Sequence, residues 1–224
     1  LLVTPDGSTH RIDVYSWVGL IPLFATEVVD QRLLKHAPRF RELLRENKGG
    51  LFRGSYICTC PDWENERGEH LLALVDHSML PRILTRLLDE SQFLSDFGVR
   101  SVSKVHNTHK DLGFIPGIGR AVIEYVPGES NSYLFGGNSN WRGPVWFPVN
   151  WLLLSSLREH ADGLSDDLSI EYPTGSGVER PILEIVADLS DRLCALFEGA
   201  TPPAMAGVPA QWCDRARRWK IAPW

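Results

Sequence analysis

The chain has 224 residues, 43% of them hydrophobic and 23% charged, which is ample for a core and ordinary for a globular protein. A net charge of −5 and a pI near 5.8 argue against a nucleic-acid or anionic-membrane partner. No apolar run reaches the length of a membrane span, no charged-then-apolar leader opens the chain and no Asn-x-Ser/Thr acceptor occurs, so a cytoplasmic protein is the expectation.

Leu1 to Tyr15 predicts a hairpin, with Leu2-Val3 and Arg11 to Tyr15 on either side of the turn signal Pro5-Asp6-Gly7. Because the chain opens in mid-strand on Leu1 rather than Met, a fragment is expected. Trp17 to Leu34 carries Val18, Ile21, Leu23, Phe24, Val28, Val29 and Leu33 at helical spacing, broken early by Gly19 and Pro22. A second helix is predicted from Pro38 to Asn47, stopped by Gly49-Gly50. Residues 51–69 lack a period and read as a long loop or short irregular strands, with Asp62 and Trp63 of interest because long loops are often functional.

Helical periodicity returns from Glu69 to Leu94, with a fresh start at Pro81. Gly98 to Leu112 is polar and holds His106 and His109, read as satisfied surface histidines. Asp96 reads as a turn residue in Ser95-Asp96-Phe97-Gly98. Val145 to about His160 predicts a helix buried on all sides, Gly163 to Gly177 a loop, and Pro181 to Phe197 a helix with a regular apolar stripe. Residues 199–224 have no sustained period and read as an irregular, poorly packed tail. Five or six helices and one hairpin favour an all-α toroid over a parallel sheet.

Several chemistries are absent from the sequence. Gly117-Ile118-Gly119 lacks the third glycine of a dinucleotide loop, and neither a phosphate loop nor a Gly-x-Ser-x-Gly elbow occurs. Cysteines 58, 60, 194 and 213 form no disulfide framework in a chain this long. Cys58 and Cys60 with His70 and His77 match no zinc spacing, so no metal and no cofactor are expected.

The most informative stretch is 136–154. Gly136-Gly137-Asn138-Ser139-Asn140 is loop by composition, and Pro144 suits the first turn of a helix. A core helix has little reason to open with Trp141, Arg142 and Trp146 among amides. An uncharged polyol site does, since indole faces stack on sugar C–H surfaces while Arg and Asn forks bond hydroxyls. The plainer alternative is an aromatic core cluster with Arg142 satisfied by backbone carbonyls.

Asn140-Trp141-Arg142-Gly143-Pro144-Val145-Trp146, with Pro148-Val149-Asn150 behind it, resembles the WRGPxW segment of glycoside hydrolase family 63. It is most similar to the branch of microbial mannosylglycerate hydrolase-like and glucosidase-like proteins. Trp17 to Leu23, Glu90 to Ser103 and Pro127-Gly128-Glu129-Ser130-Asn131 add weaker support, so the resemblance covers most of the chain. It implies that residues 1–198 are part of a single catalytic domain, a partial (α/α)6 toroid with a short N-terminal β-hairpin.

It also implies an inverting acid/base glycosidase acting on a small α-linked glucoside or mannoside such as mannosylglycerate. Such enzymes need two carboxyl groups roughly 6.5–9.5 Å apart. By resemblance the acid is an aspartate N-terminal to this sequence, and the base a glutamate beyond the region matching 182–198. Neither can be placed here, and the stretch alone is expected to be inactive. The substrate-binding residues implied are Asn140, Trp141, Arg142 and Trp146. Glu129 is a weak candidate for catalysis or binding, with a surface-loop glutamate as the plain alternative. The rival reading is a non-catalytic helical carbohydrate-binding or scaffold module.

Overall fold

A computed structural model describes residues 2–4, 6–11, 13–46, 58–64, 68–75, 79–108, 111–115, 117, 119–125, 145–164 and 168–198. The all-α expectation, and with it the partial (α/α)6 toroid, is overturned. Among the described residues six α-helices alternate with strands that form five small antiparallel sheets. The expected tail, 199–224, lies outside the described residues.

The chain opens with a hairpin as expected, β1 (Leu2–Val3) against β2 (Thr9–His10), but its second strand comes before Arg11 to Tyr15, where it was expected; the turn is closed by Asp6 accepting from the Ser8 N–H at 3.0 Å. A 3-10 turn at Trp17–Leu20 runs into α1 (Ile21–Phe24), with Pro22 tolerated near its start. The single helix expected from Trp17 to Leu34 then breaks. Thr26–Val29 form strand β3, and α2 (Gln31–His36) restarts behind Asp30, whose side chain accepts from the Leu33 N–H at 2.7 Å. Helix α3 (Pro38–Glu46) follows as expected.

Strand β4 (Cys58–Glu64) takes the strand alternative of the stretch 51–69, and β5 (His70–Ala73) replaces an expected helix. They complete a sheet of order β3-β5-β4, in which Val29 opposes His70 and Val28 opposes Leu71. The cause of the misreading is visible in Leu71-Leu72-Ala73-Leu74-Val75. A continuous apolar run fits either period, and only the fold reveals that Leu71, Ala73 and Val75 alternate into the core.

Helix α4 (Leu80–Leu87) begins at the Pro81 signal. Next come the hairpin β6 (Leu94–Ser95) with β7 (Gly98–Val99), a 3-10 turn at Lys104–Asn107, and the hairpin β8 (Asp111–Ile115) with β9 (Gly119–Val122). The long helix α5 (Phe147–Leu164) is followed by the hairpin β10 (Ser169–Glu171) with β11 (Glu179–Pro181), in the stretch read as loop, and by α6 (Ile182–Glu198).

Helix α5 is the centre of the packing. Val149, Leu153, Leu157 and Ala161 meet Leu84 and Leu87 of α4, Leu23 of α1 and Ile185, Val186 and Leu189 of α6 in one cluster. Toward its end Gly163 lies so close to Leu71 of β5 that a Cβ there would come within 2.8 Å of the leucine. Where β3 forms a sheet edge, the Glu159 carboxylate accepts the Val28 N–H at 3.1 Å. Burial on every side does not hold, however: Trp151 is 59% exposed and Leu152 43%. The helix is one-faced, and its Leu-rich composition conceals that.

Candidate functional site

Residues 99–103 act as a strap that brings two distant stretches together. On one side the Trp17 N–H donates to the Ser101 carbonyl at 3.0 Å and the Ser103 N–H donates to Tyr15 at 2.9 Å, around a bridge between Ser16 and Val102. On the other side Arg100 forms an antiparallel bridge with Val145, the residue before Trp146. The 3-10 turn carrying Trp17 and the first turn of α5 are thereby held side by side. The two indoles meet tilted, with centroids 5.5 Å apart and planes at 50°.

Beside the pair is a recess lined by Trp17, Leu20, Phe24, Val99, Ser101, Trp146, Val149, Asn150 and Leu153, with about 240 Å³ of empty space out to its mouth. Trp17 is buried and Trp146 half-buried. Among the described residues the lining carries no titratable side chain and presents an apolar, aromatic wall that suits a neutral group.

Its two polar side chains differ. Asn150, 4% exposed, accepts the Val99 N–H at 2.7 Å and donates to the Val99 carbonyl and to the Trp146 carbonyl, each at 3.0 Å. Both amide hydrogens are used, so Asn150 clamps the start of α5 onto β7. The approach is close enough that a Cβ on Gly98 would sit 2.9 Å from the Asn150 Oδ1 and 3.0 Å from Leu193, and Gly98 has φ +113°. Ser101 is 2% exposed, and its hydroxyl has no hydrogen-bond partner among the described residues. An unsatisfied buried hydroxyl costs about 1–3 kcal/mol.

Of the residues singled out in the sequence, Trp146 lines the recess. Glu129, Asn140, Trp141 and Arg142 lie outside the described residues, as do His77 and His109. Asp96 takes the expected turn of the β6–β7 hairpin. His106 is no surface group: it is fully buried, and its Nε2 accepts the Tyr15 N–H at 2.9 Å, supporting the strap from behind. Trp17, Ser101 and Asn150 went unnamed as site residues. All three fall inside stretches that carried the family resemblance, and that was the signal available. Among the described residues no group of three His, Cys, Asp or Glu stands close enough to hold a metal ion, and the side chains of Cys58 and Cys60 lie outside what is described.

Titratable groups elsewhere have packing explanations. Burial raises the Glu159 carboxyl, with Glu27 and Asp162 adding to it against the Val28 hydrogen bond. Burial lowers the His160 imidazole, whose Nδ1–H donates to the Ser156 carbonyl at 2.8 Å. On α6, burial works to raise the Asp188 carboxyl, but hydrogen bonds from the Tyr172 hydroxyl and from Arg192, at 2.6 Å for the Arg192 Nε, outweigh it and hold it low. None of these groups lines the recess.

The family model for the mannosylglycerate hydrolase MGH1-like glycoside hydrolase domain matches residues 70–195, which include the strap, α5 and the recess residues they carry. An uncharacterized protein of Saccharomyces cerevisiae is 36% identical over 190 residues, covering 84% of this chain. The chain spans only 17% of that relative's length. No solved structure matches the chain. Among the described residues no helix is long and apolar enough to cross a membrane.

Proposed function

The chain belongs to the mannosylglycerate hydrolase MGH1-like glycoside hydrolase domain family, and on that premise we propose that it supplies the saccharide-binding wall of a glycosidase. The proposed whole enzyme is an inverting, acid/base hydrolase of a small α-linked glucoside or mannoside such as mannosylglycerate, at work in the cytoplasm. Residues 1–198 are its contribution to one catalytic domain. One observation supports this reading above others: two tilted indoles, one of them just after the Trp-Arg-Gly-Pro motif, beside a recess with no charged side chain among the described residues. Aromatic faces with few polar groups and no charge suit a neutral, polyhydroxylated ring.

In this reading Trp146 stacks against the sugar, and Asn140, Trp141 and Arg142, preceding it in the sequence, complete the contacts. Glu129 is the acidic residue assigned to the same site. No carboxylate among the described residues lines the recess, which favours binding without turnover by this stretch alone. The rival, a non-catalytic carbohydrate-binding module, predicts the same binding, and only the full-length protein separates the two.

The test is calorimetry with methyl α-mannoside, methyl α-glucoside and mannosylglycerate, beside aryl α-glucosides and α-mannosides as chromogenic substrates. Binding without turnover is expected. Trp146→Ala should weaken that binding by about 2 kcal/mol, roughly thirtyfold, with the variant still folded by circular dichroism. Turnover lost on changing Glu129 would overturn the view that both catalytic carboxylates lie elsewhere. A Trp146→Ala variant that is destabilised yet binds sugar normally would return the tryptophan to the core.

A further inference from the structure

Helices α5 and α6 pack together in the core, and Phe147 at the start of α5 meets Phe197 near the end of α6, edge to face with ring centroids 5.3 Å apart. The pair therefore runs antiparallel and presents a common outer side. On α5 that side begins with Phe147 and, one turn on, Trp151, which are 41% and 59% exposed. On α6, Leu183 and Phe197 are spaced by nearly whole turns and share a line, with Cys194 beside it, and all three are exposed. Single exposed apolar side chains are ordinary, but aromatic groups that adjoin across two packed helices form a patch of the kind that marks a contact surface.

The border of the patch has a sign. Farther round α6 come the exposed acids Glu184 and Asp191. Beyond Trp151 on α5, exposed Arg158 and Asp162 offset each other. A second copy of the chain laid on this face would set one acidic border near another, which disfavours self-pairing. An occupant with apolar groups and positive charge suits it better.

Such a segment follows directly in the chain. Residues 199–224 begin two residues after Phe197 and hold three of the eight tryptophans, Trp212, Trp219 and Trp224. They carry four basic residues, Arg215, Arg217, Arg218 and Lys220, against the single acid Asp214, in a chain whose net charge is −5. With no sustained period the segment makes no apolar stripe of its own, so its indoles need a surface supplied from elsewhere. A segment tethered beside its seat meets it at an effective concentration on the order of millimolar.

We propose that residues 199–224 fold back onto the outer side of the α5–α6 pair, with tryptophan against Phe147, Trp151 and Phe197 and the basic residues along the Glu184–Asp191 border. Helix α5 gives Val149, Asn150 and Leu153 to the recess and Phe147 and Trp151 to this face, so the docking stands apart from the saccharide reading.

The chain carries its own probe, because Cys194 lies on the face and Cys213 adjoins Trp212. The full chain, dilute, is oxidised with glutathione disulfide, which takes two electrons from the paired thiols and leaves as two glutathiones. Peptide mapping by mass spectrometry then identifies the disulfide. A Cys194–Cys213 bond within one chain is expected as the main product. Trp151→Asp should slow its formation about tenfold, and Arg217→Glu with Arg218→Glu about threefold. Thermal unfolding checks that both variants are folded, and the tail variant leaves every residue of α5 and α6 as it is.

A Cys194 bond joining two chains would give the face to a second copy and overturn the docking. Pairing of Cys213 with Cys58 or Cys60 in preference to Cys194 would place the tail elsewhere. No Cys194–Cys213 product, or one formed equally fast in Trp151→Asp, would overturn it as well.

Discussion

Two polar assemblies in this protein, one half-buried and one buried, contrast sharply. On α6 the Tyr172 hydroxyl and the Arg192 guanidinium converge on Asp188, Arg192 also donates to the Ser95 carbonyl at 2.9 Å, and Arg180 and Arg192 both approach the Tyr172 ring. The groups satisfy one another, and the result fastens α6 to the β10 strand and the β6 hairpin. At the recess Asn150 is equally well bonded, but Ser101 beside it has no partner among the described residues. The first network closes on itself, whereas the second leaves one buried hydroxyl without a partner among the described residues.

The largest effect that tests this contrast is expected at Gly98. Gly98→Val forces a β-branched side chain into a positive φ and into contact with Asn150 and Leu193, and should cost about 4 kcal/mol in chemical denaturation. A loss under about 1 kcal/mol would mean that the close approach of β7 to α5 is not needed for stability.

Next is Asn150→Leu. It fills similar space but leaves the Val99 N–H and carbonyl without their partner, an expected loss of about 3 kcal/mol in the same assay. A neutral result would place Asn150 beside Ser101, as a group the fold does not depend on, and erase the difference between them.

The smallest effect concerns pH. Asp188 is held below the ordinary carboxylate range, so its contribution is complete above its unfolded-state pKa and is lost as pH falls through the lowered folded value. Asp188→Asn should therefore make the acid limb of stability shallower and cost about 1 kcal/mol or less at neutral pH, since the carboxylate is partly exposed. An acid limb identical to that of the unaltered chain would show that the cluster contributes no linkage.

Much of this was legible in the sequence, and the illegible parts have a common cause. The helices at 38–46 and 182–198 announced themselves through periodicity, that at 147–164 through its apolar run behind Pro144, and the first hairpin through Pro5-Asp6-Gly7. The short strands did not. Thr26–Val29 and His70–Ala73 are strands because they pair with each other across more than forty residues, and nothing local in Leu71-Leu72-Ala73 distinguishes that from a helix. The family was readable from Asn140 to Asn150, and Trp146 of that stretch lines the recess. Ser101 and Trp17 were not, because a lone serine or an N-terminal tryptophan has meaning only once the strap joins them to Trp146.

That strap has a consequence for how the protein assembles. Its partners, Tyr15 to Trp17 and Val145, lie in stretches distant in the chain, so the aromatic pair exists only after two long loops have closed. Closure of that kind carries an entropic cost that neighbouring residues in a helix do not face. The α5–α6 pair can therefore gather from nearby sequence while the indoles are still apart, and the recess belongs to the slow, non-local part of folding.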